Sequence, residues 1–231
     1  MQQLPLQLQP KESCTFQSFF SASNQLTVDV LQNIFDPAGE QQVFLWSAEG
    51  LGKSHLLQAA CQLASSKQLT ASYLPLDQMP GVTTDILDGV EHLDLVAIDG
   101  LDAVLGDEDW EQAIFALINQ ARTSSVRLLF AAEKNPAELM LNLPDLRSRL
   151  TWGPVFQLMP LTDDEKRSAL QTRAATRGLE LPDNVANYLL EHYPRDLFVL
   201  YENMDKLDQA SLVQQRRLTI PFIREVLSPE V

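Results

Sequence analysis

Short apolar segments alternate with longer segments of helical periodicity between residues 43 and 158. Each apolar segment is four to seven residues long, which is typical of a strand that is buried on both faces. The segments cover residues 43–46, 71–76, 93–99, 126–132 and 154–158. Between them, residues 110–121 and the stretch after Lys53 carry apolar side chains at helical spacing. This alternation predicts an α/β fold, a parallel five-stranded sheet with helices on both faces.

The pattern changes after Pro160, where only helical periodicity is found. The sequence TDDE at 162–165 predicts a capping box, in which Thr162 accepts a hydrogen bond from the amide of Glu165. We expect this helix to end at Gly178, because glycine adopts the left-handed conformation at low cost. Further helices are predicted over 183–192, 196–209 and 219–227. The predicted parts of the chain are a flexible tail at 1–12, an α/β domain at 13–159 and a small all-helical domain at 160–231.

The chain is strongly acidic, and this charge limits the partners that it can have. Its 231 residues include 31 acidic and 17 basic residues, which give a formal net charge of −14. Such a surface repels a phosphate backbone, so we do not expect strong DNA binding by the chain alone, although a local basic face stays open. Neither Cys14 nor Cys61 has metal-ligand spacing, and Cys61 is predicted to be a small buried hydrophobe. No secretory signal and no run of ~20 apolar residues is found, so we expect a cytoplasmic location.

The stretch WSAEGLGKSHLLQAA has the residues and the context of a phosphate-binding loop. Gly50 and Gly52 let the backbone curl so that its amides point inwards, and the following helix N-terminus adds partial positive charge. Lys53 is expected to meet the β- and γ-phosphates, and Ser54 to hold Mg²⁺. The alternative is a glycine turn before an ordinary helix. The predicted nucleotide contacts in this stretch are Glu49, Gly50, Leu51, Gly52, Lys53, Ser54 and His55.

The groups that hydrolysis requires are only partly present in the sequence. Ser47 replaces the first glycine of the standard loop, a mild change because a small residue can take the same conformation. The segment LVAID ends in Asp99, which is expected to hold Mg²⁺ through water together with Ser54. The next position, which is acidic in many ATPases and polarises the attacking water, is Gly100. Asp102 is interpreted as an ordinary loop acid. The sequence therefore predicts nucleotide binding, whereas intrinsic hydrolysis is expected to be weak or absent.

These motifs resemble the AAA+ family and, within it, the bacterial initiator DnaA and its homologues. The run GLGKSHLLQA at 50–59 is similar to the initiator's phosphate loop beyond the generic motif. The segment TFQSFFSASNQL at 15–26 resembles the part of that family which closes over the adenine. The resemblance puts Phe19, Phe20 and Asn24 near the base, and the alternative for the two phenylalanines is an aromatic core strip.

Two arginines occupy positions that have a role in the same family. The segment LPDLRSRLTWGP at 143–154 resembles the box that carries an arginine finger, and Arg149 occupies the position of the finger. Such an arginine supplies positive charge to the transition state in a neighbouring subunit. Arg147 is expected to form a surface salt bridge instead. The segment YPRDLFVL at 193–200 puts Arg195 at the start of a helix in the small all-helical domain, which is called the lid in this family. There Arg195 resembles the second sensor, a residue that contacts the nucleotide from the lid.

The N-terminal tail contains QLPLQL at 3–8, which matches the pattern Q-L-x-L-x-L of peptides that dock on the bacterial replicative sliding clamp. Gln3 would anchor such a peptide, and Leu4, Leu6 and Leu8 would fill apolar pockets. Together with the AAA+ motifs, this tail resembles the DnaA-homologous regulators of the family. The resemblance implies a nucleotide-bound protein (ADP or ATP, with Mg²⁺) that docks on the DNA-loaded clamp. It would stimulate ATP hydrolysis by the initiator and so act as a negative regulator of replication initiation.

Two other functions stay open at this point. One is a self-sufficient AAA+ ATPase of the helicase-loader type, and Gly100 disfavours it. The other is a DNA-binding initiator fragment, and the charge of −14 disfavours that. The sequence also leaves open which nucleotide is preferred, and whether the chain forms a homodimer or a head-to-tail oligomer.

Overall fold

The computed structural model describes residues 14–227, without the side chain of Phe198. The described residues form two compact units, and the chain divides between Met159 and Pro160. The first unit contains a sheet of five parallel strands in the order β2-β3-β4-β1-β5. The strands are β1 (Gln42–Trp46), β2 (Ala71–Pro75), β3 (Leu95–Asp99), β4 (Arg127–Ala132) and β5 (Val155–Gln157). The predicted fold class is therefore confirmed, and the strand ends differ from the predicted ones by at most two residues.

Four α-helices accompany this sheet in the described part of the first unit. They are α1 (Gln25–Gln32), α2 (Lys53–Ser66), α3 (Glu108–Ala121) and α4 (Pro144–Leu150). The Asp107 side chain caps α3 by accepting from the amides of Asp109 and Trp110. The short helix α4 begins with a proline, which is favoured at the first helical position. The periodicity of the sequence predicted α2 and α3 but gave no separate signal for α1 or α4.

Alternate residues of each strand face opposite sides of the sheet, as the pleat requires. In β1, Val43 and Leu45 pack into the core that contains the buried residues of α1 and α2. Phe44 between them packs into the core that contains the buried face of α3. Cys61 is 3% exposed in the α2 core, which confirms its prediction as a buried hydrophobe. Both faces of the sheet are covered, so the carboxyl-terminal edge of the strands is left for function.

The second unit is all-helical and has its own core. Its helices are α5 (Asp163–Thr176), α6 (Asp183–His192), α7 (Leu197–Gln214) and α8 (Ile220–Leu227). The predicted capping box at the start of α5 is confirmed, since Thr162 and Glu165 bond reciprocally. Gly178 has φ +74°, the left-handed conformation expected after that helix. The fully buried Leu189, Leu200 and Phe222 bring residues of three helices into one cluster.

Part of the sequence prediction lies beyond the described residues. The predicted tail at 1–12, with Gln3, Leu4, Leu6 and Leu8, belongs to this part. Over residues 14–227, none of the helices combines the length and the hydropathy that crossing a membrane requires.

Candidate functional site

The phosphate-binding loop joins the end of β1 to the start of α2. Gly50 and Gly52 have φ +78° and +96°, so both adopt the left-handed conformation that favours glycine. A side-chain carbon on Gly52 would also lie 2.6 Å from Cε2 of Phe19. Position 52 thus requires glycine for its backbone conformation and for its contact with Phe19. The sharp turn brings successive amides to the N-terminus of α2, where anions bind favourably.

The Lys53 ammonium folds back over its own loop. Its Nζ donates to the carbonyl oxygens of Ser47 and Ala48 over 2.8 and 3.0 Å. Burial lowers the pKa of Lys53 from its ordinary value, whereas the carboxylates of Asp99 and Glu133 act in the opposite direction. The cation is therefore held in the middle of the loop with acidic groups near it. In a nucleotide complex, phosphate oxygens would replace the two carbonyl acceptors.

Ser54 and Asp99 are 45 positions apart in the sequence and both approach the Tyr73 hydroxyl. Tyr73 donates to Oδ2 of Asp99 over 2.7 Å, while Oδ1 accepts from the Gly100 amide over 3.0 Å. Burial first, and then the charge of Asp99, raise the pKa of the Tyr73 phenol, so it stays protonated as a donor. A serine hydroxyl and a carboxylate are hard oxygen ligands of the kind that Mg²⁺ prefers. The donor set at this strand end is therefore suited to a metal that also binds phosphate.

Asp102 connects the ends of two neighbouring strands. Its Oδ2 accepts from the Glu133 amide over 2.6 Å, which ties the turn after β3 to the residue after β4. Glu133 itself is exposed. This contact gives Asp102 a structural role in holding the strand edge, in line with its interpretation as an ordinary loop acid.

The segment before α1 packs on the phosphate loop. The rings of Phe19 and His55 lie 5.5 Å apart, and Nε2 of His55 is 2.8 Å from the Thr15 carbonyl oxygen. The Asn24 amide donates to the carbonyl oxygen of Met159 and accepts from its N–H. The structure thus assigns Phe19 to the loop and Asn24 to the backbone at the end of the first unit. Their proximity to a base stays a prediction.

The other residues that were predicted to contact the nucleotide differ in their exposure to solvent. Glu49 and Gly50 are exposed, and Leu51 and Phe20 are half-buried. Arg195 lies in the helical unit, just before the residue that caps α7, and forms an exposed ion pair with Asp163 at 3.4 Å. Such surface pairs contribute little to stability, so the Arg195 side chain can change partner at low cost.

Arg149 lies in the last turn of α4, where two aromatic rings hold its guanidinium. The guanidinium carbon is 4.1 Å from the centre of the Trp152 ring and 5.4 Å from that of Phe115. Its Nε is buried and has no hydrogen-bond partner in the part of the chain that the structure describes. Within residues 14–227, no carboxylate lies within ion-pair distance of this arginine. The positive charge of Arg149 is therefore not neutralised by the described part of the chain.

Trp152 forms the centre of this aromatic contact and is 36% exposed. The Arg122 guanidinium also lies over its ring, at 3.6 Å from the ring centre. A cleft of about 260 Å³ borders Trp152, Arg122 and Gln42. The Gln42 amide donates to the carbonyl oxygens of Arg149 and Leu150, which fixes the end of α4 against β1.

The salt bridge predicted for Arg147 is not found within residues 14–227. Its guanidinium donates to the Leu139 carbonyl oxygen over 2.9 Å, and no ion pair of Arg147 is found among the described residues. The chain folds back before α4 and brings this carbonyl within reach. Sequence spacing gives no signal for such a contact.

A buried carboxylate positions the start of α4. Glu111 is 0% exposed, although it is an acid, and it lies on the apolar face of α3. Its Oε1 accepts from the amides of Gly106 and Asn142, and its Oε2 accepts from the amide of Leu143. An acid at an apolar position of the helical pattern was the signal that could have identified it. Sequence reasoning also missed Tyr73, Arg122 and Trp152 as members of these sites.

Comparison with known proteins agrees with this arrangement. The family model of the bacterial DnaA ATPase domain matches residues 10–157, and that of the lid domain of Hda matches residues 163–227. Domain III of the replication initiation protein DnaA from Thermotoga maritima is 19% identical, with a TM-score of 0.75 over 94% of this chain and 96% of that one. AMPPCP-bound DnaA from Aquifex aeolicus is 20% identical, with a TM-score of 0.72 over 89% and 73%. The Holliday junction branch migration motor RuvB from Thermotoga maritima is 17% identical, with a TM-score of 0.64 over 90% and 67%.

The three solved structures share the fold with this chain at identities that show nothing finer. The family models are more specific, because one of them matches well over half of the chain and the other matches most of the helical unit. The chain therefore belongs to the bacterial DnaA ATPase domain family and is an Hda-like, DnaA-homologous AAA+ protein.

Proposed function

We propose that the chain binds ADP or ATP at its phosphate loop, with Mg²⁺ held by Ser54 and, through water, by Asp99. Three features support this proposal: the left-handed Gly50 and Gly52, the Lys53 ammonium above the loop, and the N-terminus of α2, which begins at the end of this loop. The related DnaA from Aquifex aeolicus was solved with AMPPCP bound. When bound, Mg²⁺ would neutralise part of the phosphate charge.

The chain's regulatory action, in this proposal, is to complete the ATPase site of another protein. The partner is the initiator DnaA, and Arg149 supplies positive charge to the transition state of its ATP hydrolysis. The observation that carries this proposal is that, within residues 14–227, Arg149 has neither a carboxylate partner nor a hydrogen-bond partner for its buried Nε, whereas Arg147 donates to the Leu139 carbonyl oxygen. In a chain with a net charge of −14, an arginine that has no anionic partner among the described residues is available to an external anion. Hydrolysis of the initiator's ATP would then suppress replication initiation.

The N-terminal tail would bring the protein to the DNA that has just been replicated. Gln3, Leu4, Leu6 and Leu8 would dock on the sliding clamp, which stays loaded on that DNA. Tethering raises the local concentration of Arg149 near the initiator, so a weak contact between the two proteins suffices.

Conversion of ATP to ADP on purified initiator tests this function. We expect conversion only when this protein and clamp-loaded DNA are both present, and its loss when Gln3 and Leu4 are replaced by alanine. The tail variant should keep the melting temperature of the wild type, because the glutamine- and proline-rich sequence of residues 1–12 is predicted not to build a core. Conversion that proceeds equally without clamp-loaded DNA would contradict the tethering step.

The alternative is a self-sufficient AAA+ ATPase of the helicase-loader type. Fast turnover by this protein alone, with no effect on the initiator's ATP, would favour that alternative. Gly100 disfavours it, because the acid that polarises water in fast ATPases is missing from its usual position.

A further inference from the structure

The space beside Gly100 is filled by a carboxyl group from another strand. Gly100 has φ +65°, and a side-chain carbon built on it would lie 2.7 Å from Cβ and from Cγ of Asp77. The same position is 2.8 Å from Oδ1 of Asp77. The Asp77 side chain therefore occupies the volume where an acidic side chain at position 100 would begin.

The pairing of the strands explains why Asp77 reaches this place. Strands β2 and β3 are parallel neighbours, and Pro75 of β2 is paired with Asp99 of β3. Asp77 follows two residues after Pro75, in the helical turn Leu76–Gln78. Both acids thus leave the same edge of the sheet, the carboxyl edge at which the phosphate loop also lies.

The surroundings of Asp77 suit a group that exchanges protons with water. Its side chain is exposed to solvent. Partial burial first, and then the charge of Asp99, raise the pKa of this carboxyl from its ordinary value. An exposed carboxylate can accept a proton from a water molecule and release it to the solvent.

We propose that Asp77 supplies the water-polarising carboxylate that position 100 lacks, so that the chain slowly hydrolyses ATP bound at its own phosphate loop. This inference rests on the proposed nucleotide site. The oxygen of a water molecule forms a bond to the γ-phosphorus, and Asp77 accepts the proton of that water. The bond between the γ-phosphorus and the bridging oxygen breaks, and ADP and inorganic phosphate are the products. Asp77 then releases its proton to the solvent.

Single-turnover hydrolysis of ATP by the isolated full-length chain tests this role. A general base contributes about 10²–10⁴ in rate, so Asp77→Asn should slow the reaction about 100-fold or more. Asp85→Asn, which changes an exposed acid outside the site, should leave the rate unchanged. A rate in Asp77→Asn equal to that of the wild type, including the case in which neither turns over, would overturn the proposal.

Ligand binding gives a readout that does not depend on turnover. ADP alone should raise the melting temperature of the wild type and of Asp77→Asn by the same amount. ADP with aluminium fluoride, which mimics the transferring phosphoryl group, should give an additional rise in the wild type that is reduced in Asp77→Asn. An equal additional rise in both would count against contact between Asp77 and the reacting atoms.

Moving the carboxylate back to its usual position tests the geometry itself. Gly100→Asp combined with Asp77→Gly should recover turnover relative to Asp77→Gly alone, because the acid returns to the same volume from β3. If the double variant still binds ADP but its ATP turnover is not higher than that of Asp77→Gly alone, a carboxylate at position 100 does not replace the one at position 77, and the proposal is contradicted. All of these assays use the isolated chain, so their failure is distinct from a failure to stimulate the initiator.

Discussion

The buried Glu111 carboxylate makes the most quantitative structural prediction, since it organises the loop that leads into the arginine-bearing helix. We consider the change Glu111→Gln, which keeps the size of the side chain and removes its charge. In the native chain, the two carboxylate oxygens accept from three amides, at 2.9 Å (Gly106), 3.1 Å (Asn142) and 2.6 Å (Leu143). Glutamine has a single acceptor oxygen, so it can satisfy the first two amides or the third, but not all of them.

The expected loss follows from the three hydrogen bonds. Bonds to a charged acceptor are worth about 1.5–3 kcal/mol each, and neutral ones about 1 kcal/mol. The two hydrogen bonds that glutamine keeps would become neutral ones, and together they would stabilise the fold by about 2 kcal/mol less. The third amide would face an NH₂ group and would have no acceptor, which costs about 1–3 kcal/mol of stability. Relief from burying a charge offsets part of this loss, and we expect a net destabilisation of roughly 2–3 kcal/mol.

Urea unfolding followed by tryptophan fluorescence measures this loss of stability. The signal reports on the first structural unit, which contains Glu111, because Trp46, Trp110 and Trp152 all belong to that unit. The matched control is Glu138→Gln, the same chemical change at an exposed position, for which less than about 0.5 kcal/mol is expected. Amide hydrogen exchange at Gly106, Asn142 and Leu143 should also become faster in Glu111→Gln. A stability of Glu111→Gln within about 0.5 kcal/mol of the wild type would refute the reasoning.

Three further predictions concern other parts of the first unit. Gly52→Ala should lower stability by about 1–3 kcal/mol and reduce the rise in melting temperature caused by ADP, because alanine is strained there and meets Phe19; an unchanged ADP response would contradict the loop geometry. Burial raises the pKa of Cys61 to about 12, so iodoacetamide at pH 8 should leave it unmodified until denaturant is added, and rapid native labelling would contradict this. Hydrogen bonds from the Thr70 amide and hydroxyl lower the pKa of Asp94. The stabilisation that ionised Asp94 contributes is therefore present above the unfolded pKa of about 3.9, and it is lost as the pH falls through the lower folded pKa. Asp94→Asn should flatten the acid side of the curve of stability against pH. A curve identical to that of the wild type would count against the hydrogen bonds between Thr70 and Asp94.

Continuous apolar segments and the helical period of about 3.6 residues were sufficient to predict the fold, because the burial of strands and helices depends on them directly. The five strands are continuous apolar segments that face helices on both sides, so each was visible in the sequence. Helices α1 and α4 gave no such signal, since each has at most eight residues and is positioned largely by tertiary contacts. The hydrogen bonds from Gln42 to the end of α4 show this dependence, because they join residues more than 100 positions apart.

The candidate site was predictable where local backbone conformation determines it. Gly50, Gly52 and Lys53 belong to one loop, and their spacing alone indicated the phosphate-binding turn. Tyr73 and Asp77 could not be recognised in the same way, since their importance comes from the pairing of β2 with β3. Arg149 was identified from its resemblance to a family motif, but its contact with Trp152 depends on how the chain turns after α4.

The central claim, that Arg149 acts on a nucleotide bound to another protein, is tested most directly by one measurement. Initiator carrying radiolabelled ATP is mixed with clamp-loaded DNA and with this protein, which carries unlabelled ADP, and the single-turnover rate constant of label conversion is measured. We expect the wild type and the control Arg147→Ala to accelerate conversion, and Arg149→Ala to lose roughly 10³-fold or more of that acceleration while still binding ADP and the clamp. Equal rate constants for Arg149→Ala and the wild type would contradict the claim.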